Sequence, residues 1–353
     1  MNNTKDTAKP KLFIGMDIHK RSWRIQTATD LVQGKAITLP SVPEALQAYL
    51  NKNYPDYEVY TAYEAGCCGY SAHRAFLSYG WHSIVVNPAD ISRTGNLQYQ
   101  KNDKLDAKNI CRELKDGRLN AIGVPDKERE HLRCLFRRRC DLSKEVRRLK
   151  SQIKSQLLYL GVKLPEKYDN PHWSKEFLAW LRDLYFENPT AEAALESRLN
   201  QYDFVEKELR CISNDLRAWC REHYKTDYNL LRSVPGIGPI VACGIISELG
   251  DLRRFKNFKQ LAAYVGLIPG MSQSGDGKVH SRGINPRGNR IIRSYMVEST
   301  WQAIRFDPVM ERYYRKHNGK DSKARLVKTA RKLLSRTYAV VKTGIPYQAG
   351  VVE

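Results

Sequence analysis

The sequence predicts a mixed α/β unit followed by helical ones, and three observations carry that prediction. Apolar runs rich in β-branched and aromatic residues are confined to roughly the first 125 positions. Beyond them, apolar residues recur at intervals of three, four and seven, the spacing of a helical stripe. A polar, glycine-rich stretch near residues 271–290 then interrupts a second, more compact set of helical segments. A chain of 353 residues is too long for one small core, so two or three folded units are expected.

The elements follow in order. MNNTKDTAKP, residues 1–10, carries no apolar stretch of secretory type and reads as a disordered leader. KLFIGMDI and WRIQTAT are strand candidates joined by the polar HKRS, a hairpin. YEVYTAYEA is the third strand and WHSIVVNP the fourth, with the helix GYSAHRAFLSYG between them ending at glycine. A helix starting at KNDKLDAKN closes this unit, 11–125. Region 126–224 is helical and coiled-coil-like: Leu135, Leu142, Val146, Leu149, Ile153 and Leu160 form a stripe, and AEAALESRLNQYDFVEKELRCISNDLRAWC is placed to fold back on it. PEKYDNPHW is the loop between. Residues 225–343 form a mainly helical C-terminal unit, with VPGIGPIVA as a helix-hairpin-helix-like turn, and 344–353 are a tail.

Composition narrows the partners. Lys+Arg number 59 against 38 Asp+Glu, a formal net charge of +21, which favours a polyanion such as nucleic acid. No segment approaches 18 uninterrupted apolar residues, so no membrane span is expected. The eight cysteines form no C-x-x-C pair and no zinc-finger spacing, and read as reduced thiols of a cytoplasmic protein.

Four carboxylates can be gathered at one place: Asp17 at the end of the first strand, Glu64 at the end of the third, and Asp103 and Asp106 at the start of the following helix. Residues three apart share a helix face. Such a set can surround two divalent cations about 4 Å apart, and Mg²⁺ or Mn²⁺ takes oxygen ligands of this kind. Without metal, four clustered like charges repel. The local alternative is that Asp103 caps its helix and Asp106 favours its positive end.

Two further segments carry signals. The turn containing Gly236 and Gly238 either binds a phosphate through exposed N–H groups or simply joins two helices. SQSGDGKVHSRGINPRGNRIIR sets serines among Lys278, Arg282, Arg287, Arg290 and Arg293, either a flexible loop or a phosphate-holding one. On the long helix, Arg137, Arg138, Arg139, Arg147 and Arg148 form either a solvated face or a nucleic-acid contact.

Taken together, GMDIHK, YEAG and KNDKLDA, with PGIGPIVACGIISELGD, FKNFKQLAAYVGLIPG, SQSG and RGINPRGNRIIR, resemble the DEDD-type insertion-sequence transposases of the IS-one-ten family, over nearly the whole chain and in the right order. The resemblance implies a RuvC/RNase H-like domain whose tetrad, Asp17, Glu64, Asp103 and Asp106, binds Mg²⁺, and a C-terminal domain whose serine attacks DNA. The family's serine–glycine falls on Ser274–Gly275, with Ser272 as a competitor two residues away. It further implies excision and insertion through a circular intermediate in a prokaryotic cytoplasm, recognition of element ends and target DNA with a noncoding guide RNA, and dimers or tetramers. A RuvC-like structure-specific endonuclease, using the tetrad alone, and a non-catalytic nucleic-acid-binding scaffold are the competing readings.

Overall fold

The computed structural model describes residues 9–91, 103–272, 280–285, 288–317, 319 and 321–349. The chain forms two compact units, 1–124 and 125–353.

The first unit contains β1 (Lys11–Ile18), β2 (Ser22–Thr29), β3 (Ile37–Pro40), α1 (Pro43–Asn53), β4 (Glu58–Glu64), α2 (Ser71–Ser78), β5 (His82–Val86) and α3 (Asp103–Lys115). Its sheet has the order β3-β2-β1-β4-β5. β1 pairs antiparallel with β2 and parallel with β4, which pairs parallel with β5. The strands and helices expected from KLFIGMDI, WRIQTAT, YEVYTAYEA, GYSAHRAFLSYG and WHSIVVNP are all present.

Two elements of this unit were not expected, β3 and α1. β3 is four residues long, half-exposed and ends in proline, the profile of an edge strand with little sequence signal. α1 lacks a side-chain N-cap bond and buries only Leu46 and Leu50.

Strand alternation sorts the sheet's side chains. Leu12, Ile14, Met16, Val59, Tyr63 and Val85 pack with Leu46, Leu50 and Phe76 on one face. Phe13, Ala62 and Val86 face the other way, where Ile110 and Cys111 of α3 cover them. Each fully buried aliphatic side chain is worth roughly 1.5–3 kcal/mol.

The second unit begins with α4 (Lys127–Tyr159), α5 (Lys175–Arg182) and α6 (Pro189–His223). Arg198 donates to the Gln152 carbonyl (3.0 Å) and Arg139 to Ser213 (3.4 Å), so α4 and α6 run antiparallel. Leu142, Val146, Leu149 and Ile153 of the expected stripe are buried against Leu195, Leu199 and Tyr202, whereas Leu160 is the helix C-cap and 38% exposed. The PEKYDNPHW segment is ordered by its aromatics: Tyr168 and Trp173 pack on Phe177 of α5.

Then follow α7 (Lys225–Ser233), α8 (Pro239–Leu249), α9 (Phe258–Val265), β6 (Pro269–Ser272), β7 (His280–Ile284), α10 (Arg290–Phe306), α11 (Pro308–Arg315) and α12 (Ser322–Thr343). α8 is apolar on nearly every face, with Glu248 its one charged residue, and is buried from Ala242 to Leu249. Leu132, Phe136 and Cys140 of α4 and Leu216 and Cys220 of α6 share its core. Four of the eight cysteines are buried, at 111, 140, 220 and 243, and all eight are free thiols.

Candidate active site

β1 and β4 lie side by side in parallel, with Met16 opposite Tyr63, so the next residues along, Asp17 and Glu64, end neighbouring strands. Adjacent strands are about 4.8 Å apart. Met16 and Tyr63 point into the α1–α2 face, and alternation therefore turns Asp17 and Glu64 to the α3 face. The strand ends are also tied together: Cys68, in the loop after β4, donates through Sγ to the Ile18 carbonyl (3.5 Å). Tyr63 braces the same loop by donating to the Gly69 carbonyl (3.1 Å) and accepting from the His73 amide (3.3 Å). Burial pushes its hydroxyl up to about 12, so it remains a donor at any physiological pH. His19 lies 3.0 Å from Asp17 through Nε2.

The start of α3 lies at the same edge. A Cβ added at Gly15 would lie 2.3 Å from the Ala107 carbonyl oxygen and 2.2 Å from the Cys111 amide nitrogen, so the helix backbone rests directly on β1 there. Farther along, Cys111 donates to the Phe13 carbonyl (3.4 Å) and Lys115 to the Thr29 carbonyl (2.9 Å). Thr29 pairs with Leu12 near the start of β1. α3 thus descends antiparallel to β1, and its N-terminus overhangs the strand end that carries Asp17.

The register agrees. Asp106 stands about 4–5 Å above residue 109 along the helix axis, and Asp17 about 7 Å above Gly15 along the strand. Asp103 and Asp106 lie one turn before Ala107 and Ile110, the residues that face the sheet. α3 begins at Asp103 itself, and Asp106 is half-buried; the Asp103 side chain lies outside the described residues. Among the described residues no group of three or more His, Cys, Asp and Glu side chains stands at metal-holding distance.

In the C-terminal unit, β6 and β7 pair antiparallel, with Ser272 opposite His280. Ser274, Lys278 and Arg287 lie outside the described residues, as do the side chains of Ser272 and Arg282. Three residues after β7 are anchored: Asn285 donates to the Ile268 carbonyl (3.1 Å) and Asn289 to the Tyr264 carbonyl (2.8 Å), while Arg293 donates to the Asn285 carbonyl (2.8 Å). Gly288 packs so closely on Gly266 that a Cβ would sit 2.7 Å from its Cα. Arg293 therefore has a structural partner, whereas Arg290 is exposed at the first position of α10.

The long-helix arginines divide similarly. Arg137 forms a fork on Glu248 (2.7 and 3.1 Å), a carboxylate only 1% exposed that also accepts from Asn289 (2.8 Å). Arg139 is held by Tyr295 (2.7 Å), while Arg138, Arg147 and Arg148 are exposed. At the α7–α8 turn, Gly236 adopts φ +90°, and a Cβ there would lie 2.4 Å from the Ser299 carbonyl oxygen. The fold itself therefore demands glycine at 236, whereas a Cβ at Gly238 would meet nothing within 4 Å.

Two positions escaped the reading of the sequence although each left a signal. Gly15 is a lone glycine inside an apolar strand, a mark of close backbone approach. Glu248 is a single acidic residue in the apolar run PIVACGIISEL, a mark of a buried ion pair.

Comparison with known proteins finds two matched regions. A family model described as Transposase, of the DEDD type of IS110, matches residues 14–160, which hold all four carboxylates. A second, described as Transposase IS116/IS110/IS902 family, matches residues 228–315, from α7 through α11. The chain belongs to the IS110 family of insertion-sequence transposases. This transposase is similar to two Sinorhizobium fredii proteins whose names carry the word transposase, y4qE and y4rJ. The first is 29% identical over 301 residues, 84% of this chain and 72% of that protein. The second is 26% identical over 383 residues, 97% of this chain and 94% of that protein. It also resembles the transposase for insertion sequence element IS1533 of Leptospira borgpetersenii, 25% identical over 256 residues, 70% of this chain and 72% of that protein. Among the described residues, no helix of the transposase is long and apolar enough to cross a membrane.

Proposed function

We propose that this transposase excises and inserts its element by cutting DNA strands at the carboxylates of the N-terminal unit, with a C-terminal serine holding a covalent DNA intermediate. The observation that carries the reading is the convergence of Asp17, Glu64 and the N-terminus of α3 at one edge of the sheet, beside the close contact at Gly15. It supports a RuvC-like assignment for the N-terminal unit. An all-carboxylate oxygen set fits Mg²⁺ or Mn²⁺ better than softer metals. Asp17, Glu64, Asp103 and Asp106 would hold the ions, which when bound supply Lewis-acid stabilisation of the phosphate oxygens. The chain's own contribution is rigidity: Tyr63, Cys68 and Gly15 fix where the strand ends and the helix start meet.

Ser274 is the proposed nucleophile. Its hydroxyl attacks the phosphorus, the P–O bond to the adjoining deoxyribose breaks, and a phosphoserine link forms with release of a sugar hydroxyl. Arg290, exposed and later in the same basic stretch of sequence, and the anchored backbones of Asn285 and Asn289 favour an anionic phosphate. Element ends and target are the DNA partners, a noncoding guide RNA supplies sequence by pairing, and two or four copies complete the assembly.

The test traps cleavage with denaturant in the wild type, Asp17→Ala and Ser274→Ala. A covalent protein–DNA adduct is expected for the wild type alone. Recombination in full by Ser274→Ala rejects the serine assignment, an adduct mapped to Ser272 moves it by two residues, and recombination by Asp17→Ala rejects the tetrad.

A further inference from the structure

Between α4 and α10 lies a groove of about 630 Å³. Arg139, Lys144 and Arg147 line it from one helix and Arg290, Ser294 and Tyr295 from the other, while Glu298 is the one carboxylate among the lining residues. Its existence follows from packing. Gly244 of α8 receives the Phe136 ring of α4, where a Cβ would lie 2.6 Å from the ring and 3.4 Å from Ile292 of α10. Phe136 also meets Tyr295 with ring centroids 5.8 Å apart. Two helices are thus seated together on a third, and the groove opens beside that contact.

The polar groups along it are ordered to different degrees. Arg139 is pinned by donating to Tyr295 (2.7 Å) and Ser213 (3.4 Å), so its guanidinium is already oriented. Lys144 pairs with Asp141 at 2.8 Å, but both are largely exposed, and such a pair gives way readily to a phosphate. Arg147 donates to the Ser143 carbonyl (3.2 Å), and Arg290 is exposed. Burial pushes the Tyr295 hydroxyl up to about 12, so it keeps its proton and can donate onward while accepting from Arg139.

Spacing separates a strand from a lone anion. Arg139, Ser143 and Arg147 follow at i, i+4 and i+8, so a cation or hydroxyl recurs every ~6 Å along the helix. Successive phosphates of a nucleic-acid strand are similarly separated.

We propose that the α4–α10 groove binds the sugar–phosphate backbone of one nucleic-acid strand, with Arg139 and Arg147 meeting phosphates along α4, Lys144 and Arg290 flanking them, and Tyr295 acting together with Arg139. The assignment rests on the reading of the protein as a DNA-handling recombinase. It goes beyond that reading by naming a surface, and by adding Lys144, Ser294 and Tyr295 to the residues that meet nucleic acid. DNA and RNA share this backbone chemistry, and the probes distinguish them.

The experiment measures affinity against salt for labelled oligonucleotides of one sequence, as single-stranded DNA, duplex DNA and single-stranded RNA. Full-length wild type is compared with Lys144→Gln/Arg147→Gln/Arg290→Gln and with a control that removes the same charge elsewhere, Lys9→Gln/Lys35→Gln/Lys52→Gln. With ~0.7 counterions released per single-strand phosphate, the groove variant should reduce the log–log salt slope by about 2 and weaken binding on the order of 10²-fold at 0.1 M salt. Tyr295→Phe, which keeps the ring packing, should weaken binding by about 2- to 10-fold. Whichever probe shows the loss identifies the strand. Unchanged slope and affinity in the folded groove variant, or an equal loss in the control, overturns the assignment; should the triple variant not fold, Arg290→Gln alone gives the same reading with a smaller slope change. Asp17→Ala keeps the groove: if it is inert in recombination while the groove variant binds normally, the groove falls and the catalytic reading stands. A wild type that binds none of the probes in a salt-dependent way defeats that reading as well.

Discussion

Substituting Gly15 by alanine adds one methyl group at the place where α3 rests on β1. The new Cβ would lie 2.2 Å from the Cys111 amide nitrogen, 2.3 Å from the Ala107 carbonyl oxygen and 2.7 Å from the Cys111 Cα, all backbone atoms with no side chain to swing aside. Real Cβ atoms keep at least 3.0–3.4 Å, so the helix must retreat by about 1 Å, the difference from 2.2 Å. Overpacking of this kind costs typically 1–3 kcal/mol, which a unit with the buried core described above can absorb. The retreat moves Asp103 and Asp106 away from Asp17 and Glu64, and a misplacement near 1 Å in a reacting constellation costs about 10²-fold in rate. Gly15→Ala should therefore remain folded, melt earlier, and cleave element-end DNA about a hundredfold more slowly in saturating Mg²⁺. Gly319→Ala is the control, because a Cβ there meets nothing within 4 Å. Cleavage at the wild-type rate by folded Gly15→Ala would falsify the claim that contact at Gly15 sets the spacing of the carboxylates.

Three further outcomes are expected. Arg137→Ala removes the fork on the 1% exposed Glu248, but Arg137 is itself 54% exposed and Glu248 keeps Asn289 and Arg133, so the C-terminal unit should lose about 1–2 kcal/mol in chemical denaturation; a change below about 0.5 kcal/mol would mean the pair acts like an exposed one. Gly236→Ala forces φ +90° on an alanine and places its Cβ 2.4 Å from the Ser299 carbonyl oxygen, so it should destabilise by more than about 1 kcal/mol, and a neutral result would contradict the observed approach of α10. Burial, aided by Arg74, holds His73 below the usual histidine range, with Nδ1 2.9 Å from the Ser83 hydroxyl. The folded unit therefore binds fewer protons than the unfolded chain: His73's contribution is intact above its ordinary value of about 6.5 and is lost as pH falls through the depressed folded value. Protection factors in α2 and β5, taken against intrinsic exchange rates at each pH, should fall from pH 7.5 to 5.5 more in the wild type than in His73→Gln, and an equal fall in both would refute this.

The sequence by itself determined the elements with strong local periodicity. KLFIGMDI, YEVYTAYEA and WHSIVVNP are apolar because strands covered on both faces must be, and the α4 stripe recurs because one helical face is buried against α6. It also placed Asp17 and Glu64 at strand ends and Asp103 and Asp106 on one turn, since those are statements about neighbours in the chain. Weak local signals concealed β3 and α1, an edge strand four residues long and a helix without a side-chain cap. What only the tertiary structure decided depends on residues far apart in sequence. Arg137 and Arg147 look alike on one basic helix, yet one is held by Glu248, 111 positions away, and the other lines a groove with Arg290. Gly15 and Gly236 are set by backbones that arrive from α3 and α10; a glycine in the sequence can mark a close approach but not which helix makes it. Periodicity reports which face of an element is buried; the identity of the partner across that face is fixed by close packing of the whole core.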